Sequence, residues 1–159
     1  MLQKGPQDLP ASSLLLSVVF LLGLVLDLVN LQIAVPDSSL LTLAIMSLIY
    51  VAVLTGSLSL LMWLLRYRQR IIQTLTALLG CGAIISAFAF PLLLIVQRQP
   101  EEPSIFGVFI LGINIWHLAV SAHILRFALS VSMLMAGVLA FGYFLLGFKI
   151  TDLFISSAA

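Results

Sequence analysis

The sequence predicts an all-α fold, a polytopic bundle of five transmembrane helices with almost no chain in water. Three observations predict it. Of 159 residues, 62% are hydrophobic and only 8% are charged, against about 45–50% and about 25% in ordinary soluble domains. A soluble chain this short leaves much of its surface exposed and could not hide so much apolar side chain. The apolar residues also fall into tracts of about 20 or more, the length a helix needs to cross a bilayer at about 1.5 Å per residue. The hydrophilic segments between these tracts are each too short to form a domain. Residues 1–159 are therefore read as one transmembrane domain.

The first span is expected over 13–35, Ser13 to Val35. Pro10 followed by Ser12 and Ser13 supplies helix-entry and N-cap chemistry. Lys4 ahead of an apolar tract is also the layout of a signal peptide. This tract is longer than the usual apolar region of about 7–15 residues, and it lacks a small-x-small cleavage site before Pro36. It is read as a retained span. Pro36-Asp37-Ser38-Ser39 makes a tight turn in which Asp37 or Ser38 can cap the next helix. The second span, 40–65, stops at Arg66-Tyr67-Arg68-Gln69-Arg70, the densest charge cluster.

The third span covers 71–96. Pro91 removes a backbone donor and is expected to bend or end the helix. The segment from Gln97 to Ser104 is the clearest hydrophilic loop, with Ser104 placed to cap the fourth span. The tract from Ile105 to Phe148 is too long for one crossing and fits two helices of about 20 residues. These are expected near 105–124 and 131–148, with Arg126 and Ser130 marking the break. Four crossings plus a re-entrant segment is the alternative.

Orientation follows from the positive charges, which accumulate on the cytoplasmic side. With the Arg66–Arg70 loop cytoplasmic, five crossings put the N-terminus inside and the C-terminus outside. The inside then holds Lys4, Arg66, Arg68, Arg70 and Arg126, five of the seven Lys and Arg residues. Arg98 and Lys149 fall outside, with Asp37, Glu101, Glu102 and Asp152. Trp63 and Tyr67 beside the arginines match an aromatic anchor at the cytoplasmic interface. Arg66, Arg68 and Arg70 could attract anionic lipid at about 1 kcal/mol per basic residue, but the simpler reading is a stop-transfer and orientation signal. His123 and Arg126 sit where side chains snorkel to headgroups.

Asp27 is the most costly residue. An acid near the centre of a span costs roughly 2.5–3.5 kcal/mol, so it is expected to face protein or water, and it can be protonated there. Asn30 lies one turn further, on the same helix face. Asn114, His117 and Ser121 form a polar stripe on the fourth span at spacings of three and four. His117 titrates near neutrality when unperturbed, which suits a proton relay with Asp27. The competing reading of both groups is interhelical hydrogen bonding, worth about 0.6 kcal/mol on average in membranes. Small residues spaced by four let helix backbones approach: Ala52 and Gly56, Thr76 and Gly80, Ala83 and Ala87, Ala136 and Ala140. Whether these pairs pack within the chain or against a partner is left open by the sequence. Cys81 reads as a packing residue, with no activating base near it in sequence.

Net charge is +1, which points away from nucleic acid as a partner. The single cysteine excludes an internal disulfide and a cysteine-based zinc cluster. No hydrolase constellation or metal-protease motif occurs, so an enzyme, a metal and a cofactor are not expected. Partners are expected to be the lipid bilayer and another membrane protein or a second copy.

Three segments, Gly5-Pro6-Gln7-Asp8-Leu9-Pro10, Gln73-Thr74-Leu75-Thr76-Ala77-Leu78-Leu79-Gly80 and His123-Ile124-Leu125-Arg126, together resemble a group of small proteobacterial inner-membrane proteins. The five-span layout with its N-terminus inside is also similar to the Yip family, whose members associate with other membrane proteins. The resemblance implies a bacterial inner (plasma) membrane location and carries no catalytic residue. The primary expectation is an accessory or scaffold protein acting through helix contacts, in which Gly80→Leu abolishes partner association. The alternative is an oligomeric transporter or proton-coupled channel using Asp27 and the polar face of the fourth span. Five spans do not divide into two inverted halves, which argues against the commonest transporter architecture.

Overall fold

In the computed structural model, residues 12–34, 36, 38–98 and 105–158 are described, and they are all-helical with no strand among them. The five helices are α1 (Ser13–Ala34), α2 (Leu40–Leu64), α3 (Ile71–Arg98), α4 (Ile105–Leu129) and α5 (Met133–Ala158). All five are long and apolar enough to cross a membrane. The tract after Ile105 is thus two full-length helices rather than one crossing and a re-entrant segment.

Helix starts follow hydroxyl chemistry. The Leu15 amide donates to Ser12 Oγ at 3.2 Å, and the Met135 amide to Ser132 Oγ at 3.3 Å. Each bond satisfies one of the amides that a helix N-terminus leaves free. The cap of α2 is Ser39, whose Oγ accepts from the Thr42 amide at 3.2 Å. This corrects the expectation of Ser38: α2 begins at Leu40, and only the residue immediately before it is in register to serve the third amide. Asp37, Ser104, Lys4, Glu101 and Glu102 lie outside the described residues.

Helix ends supply the turns. Arg66 (φ 65°) and Ser130 (φ 54°) are left-handed non-glycine residues. After α2, the Tyr67 amide donates to Met62 O at 2.8 Å and the Arg66 amide to Trp63 O at 3.1 Å, the paired bonds of a Schellman turn. Tyr67 then packs back on the core that holds Met62. After α4, the Val131 amide donates to Arg126 O at 3.2 Å. The break therefore falls at Ser130 and Arg126 stays within α4, which runs five residues past the expected Ile124. Arg66→Gly, which relieves a left-handed Cβ, is expected to stabilise the fold by about 1 kcal/mol. A thermal melt in detergent showing no gain, or a loss, would refute that.

Pro91 does not end α3, which continues to Arg98. Arg70 decides the packing of the α2–α3 junction. Its Nη1 donates to Phe127 O and Ala128 O at 3.2 Å and to Ser130 Oγ at 3.1 Å. A guanidinium thus caps the C-terminal carbonyls of α4, where cations are favoured. The bond set also fixes the α2–α3 and α4–α5 junctions at one end of the bundle. Arg68 lies over the Trp63 ring (4.5 Å) and Arg70 over Tyr67 (5.5 Å), so cations and aromatics interleave at this end. Arg126 is exposed beside Phe127.

α1 packs chiefly on α3, and α4 packs on both α3 and α5. The apolar core gathers at the arginine end. Leu58 and Met62 come from the last part of α2, Leu75 and Leu78 from the first part of α3, Leu125, Ala128 and Leu129 from the end of α4, and Ala136 and Ala140 from the start of α5. Ala128 and Ala136 are fully buried, because only small side chains allow the α4 and α5 backbones to approach. Thr74 and Thr76 are buried too, each returning its hydroxyl to the carbonyl four residues back, so no polar atom of theirs burdens the core.

Candidate functional site

Beyond that core, on the side away from Arg70, the bundle changes character. A cavity of about 130 Å³ is lined by Asp27 and Asn30 from α1, Tyr50 from α2, Ser86 from α3, His117 from α4 and Tyr143 from α5. All five helices deliver a polar group to it. In chain order the core residues of α2 and α4 follow Tyr50 and His117, whereas those of α3 and α5 precede Ser86 and Tyr143. Alternating helix direction therefore stacks the polar groups in one layer above the core.

A second cavity of about 290 Å³ shares Tyr50, Ser86, His117 and Tyr143 as its wall. It adds Asn114 and Ser121 and reaches Thr151, near the far end of the apolar stretch of α5. Among the described residues, no lysine or arginine lines either cavity. The volume exceeds what one water needs, about 10–15 Å³ of centre-accessible space, so the first cavity accommodates several waters or a small solute.

The hydrogen-bond account of the site is incomplete within the protein. Asp27 Oδ2 and Asn30 Oδ1 are buried with no hydrogen-bond partner among the described residues. A buried acceptor left unpaired costs about 1–3 kcal/mol. The Ser47 hydroxyl is fully buried between α2 and α1; it reaches the Asp27 carboxyl and also lies 3.3 Å from Leu24 O. Its single proton serves one of these acceptors at a time. Asn114 donates one amide N–H back to Ile110 O at 2.9 Å and Thr151 its hydroxyl to Gly147 O at 3.1 Å, so the Thr151 donor and one of the two Asn114 donors are engaged within their own helices.

Glycines set the closeness of the walls. A Cβ on Gly82 would lie 3.8 Å from His117 Nε2, so the imidazole rests on the α3 backbone. A Cβ on Gly147 would lie 3.2 Å from the Tyr50 hydroxyl, tighter than ordinary contact. Gly147 is thus what lets α5 approach Tyr50.

No family model, curated protein or solved structure matches this chain.

The polar residues singled out by sequence do converge here. Asp27, Asn30 and His117 share the first cavity, and Asn114 and Ser121 join through the second. Asp27 and His117 face one cavity without a direct hydrogen bond between them. Tyr50, Tyr143, Ser86 and Ser47 are not singled out by the sequence. The two tyrosines do carry a usable signal there, since Tyr favours membrane interfaces and these sit mid-helix.

The small-residue pairs divide. Thr76, Ala83, Ala136 and Ala140 are buried inside the chain. A Cβ on Gly80 would meet Val19 at 3.8 Å, so Gly80 belongs to the α1–α3 contact. Gly80→Leu therefore disturbs the fold itself and does not isolate partner association. Ala52, Gly56 and Ala87 are exposed, and a Cβ on Gly56 would meet nothing within 4 Å. Cys81 is half-buried against the core.

Proposed function

We propose that this protein is a small membrane carrier that binds a polar solute in the cavity at Asp27 and couples its movement to a proton. The single observation that carries this reading is the layer of polar side chains from all five helices around two unpaired buried acceptors. Ionisable groups within spans mark substrate or proton sites by default, and carriers bind near the bilayer midplane. The packed core between this layer and Arg70 favours a carrier over an open channel, because passage requires that end of the bundle to part. The reading further places the arginine end on the cytoplasmic side, on the clustering of Arg66, Arg68, Arg70 and Arg126 at that end, and takes a bacterial inner membrane from the sequence resemblance alone. The test is proteoliposomes loaded with a pH-sensitive dye and exposed to a panel of small amines, amino acids, carboxylates and sugars. Solute-evoked proton movement is expected, and its absence for every solute would reject the carrier.

A second reading, an accessory protein, is favoured by one specific observation. An open groove of about 630 Å³ runs between α1, α2 and α3, lined by Leu16, Ser17, Ala52, Thr55 and Gly56. Its small residues would admit the backbone of another transmembrane helix. Under this reading Gly56→Leu fills the groove and abolishes co-purification of a membrane partner or second copy, while the fold is kept. Unchanged association in that variant would remove the groove from any interface.

A further inference from the structure

Resting on the carrier reading, we infer that the cavity at Asp27 takes a small alkylammonium cation, recognised through its N–H donors. The chemistry of the unpaired atoms selects this class. Both buried orphans, Asp27 Oδ2 and Asn30 Oδ1, are oxygen acceptors, and they lie one helical turn apart on one face of α1. What completes them is a donor or a cation. An anion would bring further acceptors against them, and among the described residues no Lys or Arg lines either cavity to offset its charge.

The donor set also discriminates among cations. Calcium takes 6–8 oxygen ligands, several of them carboxylates, and magnesium demands a near-ideal octahedron. Here one carboxyl faces the cavity, and among the described residues no three His, Cys, Asp or Glu side chains come together. The remaining wall is apolar, with Leu26, Val51, Leu54 and Leu78 around the polar atoms. An alkali ion would shed its water against that wall for few replacement oxygens. An alkylammonium instead directs its N–H groups to the two acceptors and its carbon to the leucines, so each part of the wall has a partner. Charge-assisted bonds to the carboxylate are the stronger kind. The phenol oxygens of Tyr50 and Tyr143 and the Ser86 hydroxyl are the further acceptors in reach of a third N–H.

The test is equilibrium dialysis of radiolabelled methylammonium against the full chain in detergent or nanodiscs. Saturable binding is expected, competed by dimethylammonium but not by tetramethylammonium, which has no N–H, nor by acetate. Asp27→Asn should lose saturable binding, and Asn30→Ala should weaken it roughly tenfold or more, each checked for wild-type elution and helicity. The ligand series on the wild-type protein does not depend on either variant folding. Competition by tetramethylammonium or sodium as strong as that by dimethylammonium would overturn N–H recognition. Absence of methylammonium binding together with proton movement evoked by a sugar or carboxylate would overturn the cation assignment and leave the carrier. Saturable methylammonium binding without any solute-evoked proton movement would uphold the assignment and overturn the carrier.

Discussion

Asp27→Asn is expected to abolish solute-evoked proton movement while leaving the protein folded and assembled. The two side chains have nearly the same shape, so packing against α2 is preserved. The amide keeps a hydrogen-bonding role towards Ser47, but it carries no exchangeable acid proton and no charge. A loss of transport is therefore separated from a structural one. The fold should lose nothing, since a neutral amide is cheaper within a span than an acid, whose insertion costs roughly 2.5–3.5 kcal/mol. The expected readouts are dye-reported proton movement at the level of empty liposomes and a melting temperature equal to or above that of the wild type. Proton movement unchanged in the variant would remove Asp27 from the mechanism. Collapse of the melting temperature would make Asp27 a structural acid and favour the accessory reading.

Arg70→Met is expected to lower stability by about 1.5–3 kcal/mol, the usual worth of hydrogen bonds to a charged group. One guanidinium nitrogen shares its two N–H groups among Phe127 O, Ala128 O and Ser130 Oγ, and the charge also complements the C-terminal dipole of α4. Methionine keeps the length of the stem and so preserves packing, which isolates the lost bonds. Arg68→Met is the internal control. Its guanidinium stacks on an exposed Trp63 and should be worth about 0.5–1 kcal/mol. Melts of the two variants in the same detergent decide the matter. Equal losses would mean that Arg70 acts only as a surface charge. In the carrier reading the same bonds hold the arginine end shut, so Arg70→Met should also raise the rate of proton movement at fixed protein.

Much of the fold is legible in the sequence because lipid imposes a simple rule. Every backbone polar group within a bilayer is satisfied inside its own segment, which leaves helices of a set length. Ser13, Leu40, Ile71 and Ile105 can therefore be named as starts, and α1 to α5 counted, from tract length and the short polar segments that divide the tracts. Boundaries fail where the signal is local stereochemistry. Arg126 looks like a stop because it is charged, yet a helix C-terminus favours a cation, so α4 runs on to Leu129 and the break falls at Ser130, the second residue the sequence marks. Pro91 leaves open in the sequence whether α3 bends or ends there, and α3 runs through it to Arg98.

The candidate site divides along the same line. That Asp27, Asn30, Asn114 and His117 are expensive in lipid, and so face inward, is a property of each residue and can be read one helix at a time. That they meet Tyr50, Ser86 and Tyr143 in one layer depends on which helix faces touch. With apolar residues on nearly every face of each span, periodicity cannot say which face is buried. Packing chose it, through Ala128 and Ala136 at the α4–α5 contact, Gly80 against α1, and Gly147 beneath Tyr50. The sequence by itself determined a five-helix membrane protein with costly groups in its interior. Only the tertiary structure decided that those groups surround a cavity, because close approach of helices depends on the pairing of small residues, and that pairing is a property of the bundle.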